Sequence, residues 1–397
     1  SILLRRNNMK KLLAVLLCVA MLFAFTACGG NDADTTDYKV AMITDYGDIT
    51  DESFNQTTYE ACKAFCEEND LEFNYFKPAG DNTADRVSMI DSAVSEGYNV
   101  IVMPGYAFGG AIVDAAPNYP DVKFIALDVA KGDLLEAAVA AKGEEYDYNP
   151  ENWELADYFD MSNVYCVVYQ EELAGYMAGY AAVKLGYTDL GFLGGMAVPA
   201  VVRYGQGFVQ GVDAAAVESG KDVNVKYVYG GQFQGDADIT SVMDTWYKAG
   251  TEIVFACGGG IYTSAAEAAV KVDGKIIGVD TDQKPVIDKK YGDGITVTSA
   301  MKGLYPATYD TLKDVVINGN WDKYAGQIAT LGIISDEPSE NYVQLPDSTQ
   351  FNDDFTADDY KALVAKLNSG EIKVDNDTTK EFQGEKTKVD YQGQIKG

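Results

Sequence analysis

Acids, glycines and one lysine recur where short apolar runs of this chain end, and the chemistry of the molecule has to be sought at those positions. Lys39 to Thr44 closes on Asp45, Lys123 to Leu127 on Asp128, and Glu252 to Cys257 on Gly258, Gly259 and Gly260. Lys275 to Val279 closes on Asp280, and Ile295 to Thr298 on Ser299, Ala300, Met301 and Lys302. After the first run, Asp51 or Ser53 can cap the following helix, which leaves Phe54 and Asn55 near the strand end. Carboxylates, an amide and an ammonium group can pair with hydroxyls or with the polar edge of a heterocycle, and an aromatic ring can stack on its face. Catalysis is poorly served. The chain has no histidine, so Ser-His-Asp and Cys-His nucleophiles, histidine-ligated zinc and histidine acid–base work are excluded. A glycosidase or nucleoside hydrolase built on paired acids is the enzymatic alternative, with Asp48, Asp51 and the Asp280-Thr281-Asp282 run as its candidates. A turn and a helix cap account better for Asp48 and Asp51. A binding protein without metal or cofactor is therefore expected, not an enzyme.

The elements that position these residues read as an α/β protein. The runs named above, with Asn99 to Met103, Leu190 to Leu193 and Val223 to Tyr229, have the composition of buried parallel strands. Phe54 to Asn69, Asp85 to Glu96, Glu172 to Leu185, Val202 to Glu218 and Ser264 to Val270 carry apolar faces of helical period. So many strand–helix units suit two open sheets of roughly four to six strands better than one large sheet, and ligands of such sheets bind beyond the strands' carboxyl ends. The interlobe link is expected between Ala130 and Asn163, where alternation stops. That places one lobe at 38–163 plus 283–325 and the other at 164–282 plus 326–397. A last helix is expected near Ala357 to Asn368, and the polar stretch from Val374 onward reads as a strand pair or as irregular chain. No repeat of solenoid period occurs, so any symmetry between lobes would belong to the fold.

Upstream, Met9-Lys10-Lys11, the 14 residues from Leu12 to Phe25, and Thr26-Ala27-Cys28 have the basic, apolar and small-residue regions of a secretory signal, too short to span a bilayer. A thiol after Thr-Ala suits diacylglyceryl attachment. Residues 1–27 are expected to be upstream sequence and signal, Cys28 the lipid anchor, and 28–37 the tether; an ordinary cleaved signal is the alternative. Formal net charge is −30, and loss of the leader cations makes it more acidic. That disfavours nucleic acid and anionic ligands and favours neutral or cationic ones. Cys62, Cys66, Cys166 and Cys257 imply no disulfide framework, and the helical spacing of Cys62 and Cys66 suits two packed free thiols.

Several stretches resemble the basic membrane protein family of substrate-binding lipoproteins, which includes bacterial purine nucleoside receptors. They are Asp51 to Gln56, Glu172 to Gly179, Gly191 to Met196, Gly205 to Gly211, Gly278 to Gln283 and Thr298 to Lys302. The resemblance implies a type I periplasmic-binding-protein fold, two Rossmann-like lobes joined by a hinge of three crossings, in the service of an ATP-binding-cassette importer. It implies a base held between Phe54 and, in Gly230-Gly231-Gln232-Phe233-Gln234, Phe233. Asp45, Asn55 and Asp128 would read the base, Asp280 and Lys302 would hold the ribose, and the Gly258 and Gly259 backbone would approach closely. The loop after Phe233 departs from the family pattern, which has an Asp soon after the aromatic and a Lys downstream. Tyr46, Tyr106 and Tyr204 are further candidates for the cleft wall. Expected with this are a purine nucleoside ligand, a membrane permease partner, a lipid anchor on the extracytoplasmic face and a monomer. A receptor for another planar heterocycle such as riboflavin, and a sensing lipoprotein without transport, are the alternatives.

Overall fold

Residues 37–396 are described by the structure, a computed structural model. The signal, Cys28 and almost all of the tether lie outside the described residues. The first half of the chain alternates strictly: β1 (Lys39–Ile43), α1 (Phe54–Glu68), β2 (Glu72–Phe76), α2 (Thr83–Ser95), β3 (Val100–Pro104), α3 (Phe108–Ala115), β4 (Lys123–Leu127), α4 (Lys131–Ala141) and β5 (Val164–Tyr169). The alternation resumes with α5 (Glu171–Lys184), β6 (Asp189–Gly194), α6 (Pro199–Ser219), β7 (Val223–Tyr229), α7 (Ala237–Lys248), β8 (Ile253–Cys257), α8 (Tyr262–Ala269), β9 (Lys275–Asp280), α9 (Lys284–Tyr291) and β10 (Thr296–Lys302). The chain then runs through α10 (Leu304–Leu312), β11 (Ile328–Leu331), β12 (Val343–Gln344), α11 (Ala357–Asn368) and β13 (Thr387–Gln394). Central strands such as β3 and β8 are buried at every residue, as a parallel sheet covered on both faces requires.

Two sheets result, ordered β11-β5-β4-β3-β1-β2 and β12-β10-β9-β8-β6-β7-β13. The second repeats the strand order of the first, with β12 antiparallel where β11 is parallel, and adds β13 at one edge. Asp128 after β4 and Asp280 at the end of β9 are thus equivalent positions, and both take left-handed backbone, with φ of 60° and 66°. Non-glycine residues in that region cost about 1 kcal/mol or more each, and such strain collects at functional sites. Gly105 after β3 and Gly258 after β8 form a second equivalent pair, with φ of 123° and 153°.

The two-lobe type I fold agrees with the expectation, but the boundaries of the lobes do not. Val164 to Tyr169, expected in the second lobe, lies in the first: β5 pairs in parallel with β4, Phe124 opposite Val164, inside the first sheet. The segment 130–163 is no link, since α4 and two short 3₁₀ turns lie ahead of β5 within the first lobe. Residues 283–302 belong to the second lobe, because β10 pairs with β9 from Thr296 to Met301. Ile328 to Leu331 returns to the first, alongside β5. The three crossings fall together. Gln170 N donates to Leu331 O, Gly303 N to Tyr342 O and Tyr342 N to Gly332 O, at 2.9, 2.6 and 3.0 Å. The carboxyl-terminal stretch contributes a single strand, β13, parallel to β7. Among the described residues no helix is long and apolar enough to cross a membrane, and Cys62, Cys66, Cys166 and Cys257 are buried and unpaired.

Helices α5 and α6 touch backbone to backbone through four glycines. A Cβ on Gly175 or Gly179 would stand 2.1 or 2.2 Å from the carbonyl oxygens of Tyr204 and Phe208, and one on Gly207 or Gly211 would stand 1.9 or 2.0 Å from those of Glu172 and Tyr176. This crossing sets the amino-terminal ends of both helices, with Glu171 and Arg203, side by side.

Candidate functional site

Strand ends of the two sheets meet around one cavity of about 280 Å³. Its wall takes Asp45, Phe54, Asn55 and Asp128 from the first lobe and Phe233, Gly258, Gly259, Asp280 and Lys302 from the second, together with Tyr46, Tyr106 and Tyr204. All nine positions singled out in the sequence are therefore neighbours of one space.

The loop after β1 is held by its own carboxylates. Asp45 Oδ1 accepts from the backbone N–H groups of Tyr46 and Gly47, both at 2.6 Å, and from Asn55 Nδ2 at 3.1 Å. Asp51, not Ser53, caps α1: it accepts from the amides of Ser53, Asn55 and Gln56 at 3.0, 2.9 and 3.0 Å. The second Asn55 Nδ2 hydrogen goes to Asp51 Oδ2 at 3.0 Å, so both amide donors of Asn55 hold the loop. Burial pushes the Asp45 and Asp51 carboxyls above the ordinary range against these hydrogen bonds. With capping left to Asp51, the Ser53 hydroxyl crosses the cleft and donates to Asp280 Oδ2 at 2.6 Å. Gln283 Nε2 crosses beside it to Glu52 O at 3.2 Å.

Lys302 is the centre of charge. Its Nζ donates to Asp128 Oδ2 at 2.5 Å across the lobes and lies 3.5 Å from Glu171 Oε1 and 3.8 Å from Asp280 Oδ1. The ammonium also stands 4.8, 5.6 and 5.7 Å from the ring centres of Phe54, Tyr169 and Tyr204. Burial lowers its pKa, but Asp128, Asp280 and Glu171 outweigh that and the net shift is upward, so it stays charged. Burial pushes Asp128 up to about 6 despite Lys302. Asp128 Oδ1 and the hydroxyls of Tyr46 and Tyr204 are buried without a hydrogen-bond partner. Buried polar atoms of this kind at a cavity wall ask for a polar ligand or water.

On the opposite wall Phe233 lies on a shelf of glycines. A Cβ on Gly195 would meet its ring at 2.4 Å and one on Gly258 at 2.9 Å. Phe233 O accepts from Gly260 N at 2.9 Å, which fixes the loop to the turn after β8.

Residues 38–378 match the family model described as ABC transporter substrate-binding protein PnrA-like. The chain belongs to this family. It is 26% identical over 337 residues to the ABC transporter nucleoside-binding protein BmpA of Lactococcus lactis, covering 80% of this chain and 87% of that protein. It is 25% identical over 338 residues to basic membrane protein B of Borreliella burgdorferi, covering 82% and 86%. Among solved structures it is similar to an ABC transporter solute-binding protein of Aeropyrum pernix, with TM-score 0.60, 21% identity and 85% and 88% coverage. One from Conexibacter woesei gives TM-score 0.61, 21% identity and 85% and 99% coverage. The structural likenesses carry the fold.

In this PnrA-like substrate-binding protein the strand ends did not reveal two wall residues, Arg203 and Asp133, nor Glu171, which is buried outside the lining. Arg203 Nε donates to Glu171 Oε2 at 2.7 Å, and Glu171, fully buried, links that guanidinium to Lys302. Asp133 lines the cavity from α4, accepts from Ala130 N at 2.7 Å, and is pushed up to about 7 by burial. These three sit on helices rather than at strand ends. The legible signal for Arg203 was a lone cation two residues before the Gly205 to Gly211 glycine series; Glu171 stands directly before the Glu172 stretch. Asp133 resembles an ordinary helix-entry acid, which it also is.

Proposed function

We propose that this protein is the lipid-anchored receptor of an ABC importer and that it closes on a purine nucleoside in the interlobe cavity. The observation that carries the reading is the pairing, in one cavity, of an aromatic ring from each lobe with buried acids grouped around a single lysine. Phe54 and Phe233 would stack the base. Asp128, with one buried oxygen unpaired, would accept from a donor on the base edge, while Asp45 and Asn55 hold the loop beside it. Asp280 and Lys302 would exchange part of their mutual pairing for ribose hydroxyls, and Gly258 and Gly259 would admit the ligand close to backbone. Stacking contributes about 0.5–1.5 kcal/mol per ring beyond area burial, and desolvated polar groups reject ligands that leave them unpaired. Five aspartates against Lys302 and Arg203 in the lining make the cavity hostile to phosphate, which favours nucleosides over nucleotides. The nucleoside-binding name of the Lactococcus lactis relative supports the ligand class. The lipoprotein names of archaeal relatives support anchoring at Cys28 on the extracytoplasmic face. Delivery to a membrane permease by a monomeric receptor completes the proposal.

Isothermal titration with adenosine, guanosine, inosine, uridine and riboflavin tests it, using protein unfolded and refolded to remove carried-over ligand. Tight purine nucleoside binding is the expected result. Silence toward every nucleoside, with or without a response to riboflavin, would overturn the ligand assignment and leave the family and fold untouched.

A further inference from the structure

We propose that strand β13, with the residues that follow it to Lys396, is a brace that positions the Phe233 loop and thereby sets ligand affinity. The inference rests on the reading of Phe233 as a stacking ring. The family match ends at residue 378, so the brace lies beyond the matched region. β13 is fastened to the lobe before it reaches the loop. The backbone N–H groups of Glu385, Lys386 and Thr387 donate to the Asp213 carboxylate at 3.0, 2.8 and 2.9 Å, and Trp246 Nε1 donates to Gln392 Oε1 at 3.1 Å. Tyr391 packs on Tyr227 with ring centres 5.0 Å apart.

A break in the ladder then turns the chain toward the cavity side. The register with β7 shifts between Tyr391 and Gln394, where Gly393 adopts φ 71°. Beyond the bulge Ile395 N donates to Tyr229 O at 2.8 Å, and the chain passes so close over Gly231 that a Cβ there would lie 2.6 Å from Lys396 O. Lys396 Nζ pairs with Asp236 Oδ2 and lies 3.9 Å from Asp238 Oδ2.

Asp236 is the residue on which the loop closes. The same carboxylate accepts from Gln232 Nε2 at 2.9 Å and from Ile239 N at 3.0 Å. Gln232, Phe233 and Gln234 all line the cavity. Lys396 therefore acts as a positioning residue: it anchors the acid that ties both ends of the Phe233 turn, without itself lining the cavity. Among the described residues the opposite wall has no such tail, since β2, the equivalent of β7, is an edge strand of the first sheet.

Two variants of the full chain test the brace. Lys396→Ala removes the ion pair, and Gly393→Val strains the bulge that aims the last residues, leaving the cavity lining intact. Hydrogen exchange of the amides from Gly230 to Asp236 should accelerate in both variants, while amides of the first sheet stay as in the parent. Nucleoside affinity should fall about three- to fivefold in each, the scale of one partly exposed ion pair, and Lys396→Arg should restore both readouts. Unchanged exchange in the loop, or faster exchange with full affinity, would overturn the brace. If the parent protein binds no nucleoside, the ligand assignment fails by itself, and loop exchange in the two variants alone upholds or overturns the positioning role.

Discussion

Lys302 compensates three acids at once, which makes its removal unlike an ordinary loss of a ligand contact. Without it, Asp128, Asp280 and Glu171 would share a buried space with no cation nearer than Arg203. Breaking a buried ion cluster from one side costs about 3–5 kcal/mol. Lys302→Ala is therefore expected to lower stability by about that amount at neutral pH, with nucleoside binding lost as well. Its deficit should shrink as pH falls toward 5, because Asp128, pushed up to about 6 by burial even beside Lys302, can then bind a proton. Denaturant titrations at several pH values check this, and a pH-independent deficit would assign the loss to packing. Asp133 gives the parent protein a related signature. Its carboxyl titrates near 3.8 when unfolded and is pushed up to about 7 in the fold by burial. The native state then binds more protons across that interval, so the contribution is full below the unfolded value and is lost as pH rises through about 7. Asp314 acts with the opposite sign: its hydrogen bonds from Asn318, Asn320 and Tyr324 hold it down to about 2, and its stabilisation is lost as pH falls below its unfolded range. The melting temperature is thus expected to climb from pH 8 to pH 5 and fall in stronger acid. Asp133→Asn, which keeps the acceptor for Ala130 N, should flatten the climb; an unaltered slope would assign it to other groups.

At the scale of elements, the site depends on how closely α5 and α6 approach, because their amino-terminal ends deliver Glu171, Arg203 and Tyr204. A methyl group at Gly207 or Gly211 would meet backbone rather than a movable side chain. Gly207→Ala and Gly211→Ala are each expected to destabilise by about 3 kcal/mol, the upper range of overpacking. Gly207→Ala, next to Glu172, should also displace the Arg203–Glu171 pair and reduce binding more than Gly211→Ala, which lies one turn further from the cavity. Equal stability to the parent in a chemical denaturation series would mean that the helices can separate freely. Sequence reading found the strand ends because central parallel strands must be apolar on both faces, and their closing residues then stand out. It leaves out β2, β11 and β12 and gives β13 only as part of a stretch read as a strand pair or as irregular chain; all four lie at sheet edges. An edge strand such as Glu72 to Phe76 is half exposed and has no need of an apolar run. β5 was missed for another reason: the insertion after α4 breaks the alternation just before it, and nothing in composition distinguishes an excursion within a lobe from a crossing between lobes. For Arg203 the sequence offers only a lone cation ahead of a glycine series, and for Asp133 only a helix-entry acid, because their place in the wall follows from helix packing rather than from local pattern.

For the whole molecule, closure is a balance between three adjacent crossings that permit rotation and a few polar bridges that oppose it. Ser53 to Asp280, Gln283 to the Glu52 carbonyl and Lys302 to Asp128 span the cleft, and each joins residues far apart in the chain. Of these, the Ser53 hydroxyl can be removed with least disturbance, because Asp51 performs the capping and Ser53 is absent from the residues lining the cavity. A hydrogen bond to a buried carboxylate contributes about 1.5 kcal/mol, so Ser53→Ala should lower the closed population relative to the open one by roughly tenfold. A ligand that requires the closed arrangement then pays that factor, since apparent affinity scales with the fraction of competent molecules. The variant is expected to show a larger ligand-free radius of gyration in small-angle scattering, a return to the parent value at saturating nucleoside, and a Kd raised by up to about tenfold. Weaker binding with an unchanged ligand-free radius would instead mean that Ser53 acts on Asp280 as a local partner, orienting its carboxylate in the cavity wall rather than holding the lobes for closure.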